Sequence, residues 1–152
     1  MHTKVFGSEL ETYAGSSNNT GTIGSQLWVT KLPNTGIIGQ FYDQIALDIN
    51  VAAGNIRLGC YDDSTGPVNL KSQTGSTAAA TGYPFIACTE FALTTTQNWL
   101  ALANSSASID VRYDAGTATP RWDKSFTYGS LPDPSGASFT NNLGFKMKIG
   151  HS

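Results

Sequence analysis

The ten residues Gly54-Asn55-Ile56-Arg57-Leu58-Gly59-Cys60-Tyr61-Asp62-Asp63 narrow the choice of fold more than any other stretch. Ile56, Leu58 and Cys60 alternate with Arg57, Gly59 and Tyr61, the period of two that marks a strand with one buried face. A Gly-Asn pair opens the strand, and Asp-Asp-Ser-Thr-Gly-Pro closes it with turn-forming residues. One half-buried strand has no stability of its own, so further strands must cover Ile56, Leu58 and Cys60.

Those strands can be read along the chain. Leu27 and Val29 oppose Trp28 within Thr22 to Leu32, and Lys31 to Gly36 is a turn. From Ile37 to Val51 a long strand is expected, with Ile45, Leu47, Ile49 and Val51 on one face; Ala52-Ala53-Gly54-Asn55 would fold it back as a hairpin. Val68 to Ser72, Pro84 to Leu93, Trp99 to Ala103 and Ile109 to Tyr113 read as strands, and Leu143 to Ile149 as the closing one. Thr74 to Gly82 and Ala115 to Asp123 read as loops, Lys124 to Tyr128 as a short extended piece, and Ser130 to Asn142, with its prolines, as irregular. Turns recur at the spacing of a sandwich, without helical periodicity or an internal repeat. The expectation is an all-β, single-domain β-sandwich over 21–152, jelly-roll-like because that closure protects sheet edges, with residues 1–20 as an N-terminal arm or edge segment.

Composition agrees. Charged residues make up 13 %, and Glu occurs only at Glu9, Glu11 and Glu90, which disfavours a helical protein. A chain of 152 residues buries roughly two-thirds of its unfolded surface, so neither a disulfide nor a metal is required for stability. The net charge of −2 supplies no basic field, so nucleic acid is not an expected partner. Met1 to Ser8 lacks the apolar run of a signal peptide, and nothing downstream has the length and hydrophobicity of a membrane span.

Chemistry-bearing residues are few. Cys60 and Cys88 both fall in apolar strands and read as buried thiols, with a disulfide between them as the alternative. Asp62 and Asp63 are adjacent in a turn; they suit hydrogen bonding to nearby amides, and calcium ligation is the alternative, although Ca²⁺ needs more oxygens than this pair offers. His2 and His151 lie near the two ends, poor places for a catalytic imidazole, and no phosphate-binding glycine loop is present, so neither an enzyme nor a cofactor is expected. Sugar or protein contact needs an exposed aromatic among polar groups. Trp122, in Pro120-Arg121-Trp122-Asp123-Lys124, stands out; it reads first as an anchor of its loop, with glycan or protein contact as the alternative, Arg121 beside it and Tyr113 and Tyr128 as neighbours.

Three phrases occur together: GNIRLGCYDDSTGPVNL, QTGSTAAATGYPFIACTEFALTTTQNWLALANSSASIDVRYDAG and WDKSFTYGSLPDPSG. Over roughly Asn50 to Ile149 the chain resembles jelly-roll-like β-sandwich modules of phage structural and tail proteins and of prokaryotic surface proteins. The resemblance implies display, adhesion or particle assembly and transfers no catalytic residue. The expected function is therefore that of a non-enzymatic virion structural protein, a phage capsid decoration or a head- or tail-fibre component. It would sit on the virion surface and contact other virion proteins as a homo-oligomer, for example a trimer. The alternatives are a carbohydrate-binding or adhesion module meeting a host glycan at a cell surface, and an extracellular filament subunit.

Overall fold

Strand Asn98–Asn104 is buried at every residue, and two sheets are arranged about it. In the computed structural model the described residues are 5–6, 9–12, 19–22, 26–32, 39–62, 66–93 and 97–152, with backbone alone at 5–6, 19–22, 114–121 and 141–143. Strands in chain order are β1 Val5–Phe6, β2 Leu10–Glu11, β3 Asn19–Thr22, β4 Gln26–Lys31, β5 Gln40–Leu47, β6 Ile49–Val51 and β7 Asn55–Asp62. There follow β8 Asn69–Gln73, β9 Thr77–Ala78, β10 Phe85–Ala92, β11 Asn98–Asn104, β12 Asp110–Ser125, β13 Ser138–Phe145 and β14 Met147–Gly150. Sheet A holds β1, β2, β5, β10 and β14; sheet B holds the other nine, with a central order β13-β12-β4-β11-β7-β8. The protein is an all-β sandwich, as its strand periodicity predicts.

Alternation along β11 explains its uniform burial. Leu100 and Leu102 join Leu58, Cys60, Leu47, Ile49 and Phe145 in the main core between the sheets. Trp99, Ala101 and Ala103 point the other way, into a second core with Leu27, Val29, Tyr61 and Leu131. Leu131 belongs to a strap, residues 126–137, that crosses the outer face of sheet B. The centre of sheet B, around β11, is therefore buried on both faces, which is why Trp99-Leu100-Ala101-Leu102-Ala103 reads as one apolar run.

Polar groups fasten the strap. Tyr61 Oη donates to Pro132 O at 2.5 Å, Leu131 N–H to Gln73 Oε1 at 2.9 Å and Ser135 N–H to Val68 O at 3.1 Å. Ser135 Oγ donates to Pro67 O and accepts from Ala137 N–H. Gly59 permits the close approach: a Cβ there would lie 2.4 Å from Leu131 Cδ1 and 3.1 Å from Ser72 O.

At one corner two strand pairs change sheet. β5 passes into β6 at Asp48, and β13 into β14 at Lys146. The backbones of Asp48, Arg112 and Lys146 close a ring: Asp48 N–H to Lys146 O at 2.9 Å, Arg112 N–H to Asp48 O at 3.0 Å and Lys146 N–H to Arg112 O at 3.1 Å. The Asp48 carboxylate meets Arg112 Nε at 3.4 Å and Lys146 Nζ at 3.7 Å. Strands that bend between packed sheets leave backbone groups without ladder partners, and this ring satisfies them.

Several expectations need correction. Ala52 to Asn55 does not make a hairpin: β6 pairs with β12, while β7 pairs with β11, β8 and β9, so the turn carries the chain across sheet B instead of back on itself. Val51, the last residue of β6, is 50 % exposed, whereas Ile45, Leu47 and Ile49 before it lie in the core. Ala115 to Asp123 is strand, the middle of β12, paired to β13 with register shifts around Pro120. Leu143 to Ile149 is two strands in different sheets. Within the proposed arm, β1, β2 and β3 pair with β5, β14 and β12 of the same chain; residues 1–4, 7–8 and 13–18 lie outside the described residues.

Candidate functional site

Trp122 lies on the outer face of sheet B. It pairs with Val29 on one side and Phe139 on the other. Its ring meets Trp99 edge-on at 5.6 Å between centroids and Phe139 at 6.2 Å, and Gly66 closes over it, since a Cβ there would stand 2.9 Å from the indole. T-shaped contacts of this kind add about 0.5–1.5 kcal/mol beyond area burial. The indole therefore spends its faces on internal packing. The row ends in Phe139, 55 % exposed on β13.

The other aromatic candidates divide between faces. Tyr113 packs against the main core between the sheets, Tyr128 against the second core, so sheet B separates Tyr113 from Trp122 and Tyr128. Arg121 precedes Trp122 in β12, and its side chain lies outside the described residues. Tyr128 occupies the start of the strap, its hydroxyl 2.6 Å from Ser76 Oγ. Together with Ser105, Ser125, Phe126 and Thr127 it lines an open groove of about 570 Å³ at the end of sheet B. Ser105 Oγ there also accepts from Asn55 N–H at 2.8 Å.

The carboxylates and thiols do not converge. Asp62, buried in β7, pairs with Lys71 Nζ at 3.5 Å, and Asp63 lies outside the described residues. Among the described residues no three His, Cys, Asp or Glu side chains gather as a metal site. Cys60 and Cys88 are both free thiols. Cys60 opposes Ser72, and Thr74 bridges to Cys88, so β8 runs between them. Two strand spacings of about 4.8 Å exceed the usual disulfide reach, so the two thiols stay separate. Burial pushes the Cys60 thiol up to about 12 and raises Cys88 as well. Both thiols are thereby kept protonated and unreactive at neutral pH. Asp43, near the chain end, is held below the usual carboxylate range by hydrogen bonds from Ser152 Oγ and N–H, each 2.7 Å.

Two features escaped sequence reasoning. Outside sheet A, Lys148 Nζ sits 4.3 Å from the Tyr83 ring centroid, 4.7 Å from that of Phe85 and 3.5 Å from Glu9 Oε2. Lys148 thus fills its own aromatic cage and shields Ala46, its register partner. The hydroxyls of Ser105, Ser125 and Thr127 carry no sequence signal, because Ser and Thr occur throughout this chain. No protein-family model, curated protein or solved structure matches the chain.

Proposed function

We propose that this protein is a non-enzymatic structural component of a virus particle, a phage capsid decoration or fibre-associated subunit, that acts through protein–protein contacts. The observation that carries this proposal is Phe139. It ends the Trp99-Trp122-Phe139 row on β13, the outermost strand of sheet B, and over half of its surface faces solvent. Aromatic side chains dominate protein–protein contacts, and an exposed ring backed by two indoles loses little freedom on docking. The two-sided packing at the centre of sheet B adds support: strap, core and corner ring make a stiff block suited to repeated copies.

The test is particle composition. The protein should be present in purified virions in a fixed ratio to the shell or tail protein. Phe139→Asp should lower its incorporation at least tenfold while the isolated protein still folds. Absence from virions, or full incorporation of Phe139→Asp, would count against the proposal.

A further inference from the structure

We infer that the groove at the end of sheet B is a binding site for a neutral saccharide, with Tyr128 and Phe126 as its apolar wall. This inference is independent of the particle proposal, since either can hold without the other.

The groove is built where β11 and β12 end together. β4 lies between them, pairing Leu27 with Ala103 and Gln26 with Ser125. Ser105 follows the end of β11, and Ser125 closes β12 as the chain enters the strap. Phe126 and Tyr128 bury one part of each ring against the second core and leave the other part at the groove. Its volume, about 570 Å³, lies within the usual range of small-ligand sites.

The lining decides the class of ligand. Ser105, Ser125, Thr127 and Tyr128 carry hydroxyls, each able to donate and accept, and none of the five lining residues is charged. A charged ligand would therefore lose hydration without gaining an ion pair. An apolar ligand would displace water from the Ser125 and Thr127 hydroxyls and offer them nothing in return, while Ser105 and Tyr128 keep their bonds to Asn55 and Ser76. A pyranose carries C–H faces for the aromatic edges and a ring of hydroxyls for the serines and threonine, and meets both demands. The Tyr128 hydroxyl is already fixed by Ser76 Oγ, so the ring is oriented before any ligand arrives. Trp122 takes no part, because its ring packs against Trp99, Phe139 and Gly66 and does not line the groove.

The experiment screens the full chain on an array carrying neutral and sialylated oligosaccharides, then titrates the best neutral sugar calorimetrically. Thr127→Arg fills the groove from an exposed position, and Ser125→Ala removes one hydroxyl; both sites tolerate change, and thermal melting checks each variant. A neutral sugar should bind, with affinity lost at least tenfold in Thr127→Arg and reduced about threefold to tenfold in Ser125→Ala. Phe139→Asp, which tests the particle proposal, should bind sugar like the unmodified chain. The inference is overturned by no retention on any neutral sugar, by preference for sialylated ones, or by equal binding in Thr127→Arg. Competition by an unrelated extended peptide as effective as the sugar itself would also overturn it.

Discussion

Gly59→Ala probes the contact on which the two-sided burial of sheet B rests. The new Cβ would fall 2.4 Å from Leu131 Cδ1, inside any real contact distance, and 3.1 Å from Ser72 O. Ser72 O belongs to a paired strand and yields little, so Leu131 must move. Leu131 is buried and its own N–H is fixed to Gln73 Oε1, so the strap has little room to lift. Overpacking of this kind costs about 1–3 kcal/mol. For a domain of this size that is a fall in melting temperature of about 2–12 °C. Leu131→Ala alone should cost about 2–4 kcal/mol through the cavity it leaves. In the Leu131→Ala background the clash with Leu131 is removed, the tight approach to Ser72 O alone remains, and the added methyl fills part of the void. The double variant should therefore be more stable than the sum of the two losses, with a coupling of about 1–3 kcal/mol by urea denaturation. Strict additivity would mean that Leu131 does not sit on Gly59, and the strap reasoning would fail.

Trp122→Ala should destabilise by about 2–4 kcal/mol, since three packing partners are lost; an unchanged melting temperature would return the indole to the surface. Asp48→Asn should cost about 1–3 kcal/mol by chemical denaturation, because Arg112 and Lys146 keep their charges at a corner only partly open to water. Stability should also fall in alkali. Cys60 and Tyr61 are raised above their ordinary values by burial, so the unfolded chain releases its thiol proton from about pH 9 while folded Cys60 holds its proton to about 12. Their contribution is complete below pH 9 and declines above it, and a melting temperature flat from pH 8 to 11 would contradict this.

The sequence disclosed the sandwich because β7 and β11 carry unmistakable patterns. In β7 Ile56, Leu58 and Cys60 alternate cleanly, and in β11 the unbroken apolar run already hinted at two covered faces. Topology was less legible. The turn at Ala52 to Asn55 has hairpin chemistry, yet local chemistry cannot say which sheet receives the next strand. The middle of β12 contains Gly116, Thr117 and Pro120 and lacks apolar alternation, so pairing with β13 alone makes it strand. Trp122 showed itself as an aromatic among charges, but its enclosure depends on Gly66 and Phe139, distant in sequence. Tyr128 is visible in the sequence as an aromatic near Trp122; the hydroxyls beside it are not, in a composition where such residues are ordinary.

Native-state hydrogen exchange across the strap tests most directly whether the outer face of sheet B is sealed. The amides of Leu131 and Ser135, bound to Gln73 Oε1 and Val68 O, should exchange as slowly as those of Leu100 to Leu102, in one cooperative unit with the core. Strap amides exchanging near the free rate while β11 stays protected would mean that residues 126–137 open independently. Trp99 and Trp122 would then reach solvent, and the second core would not be held closed by the strap.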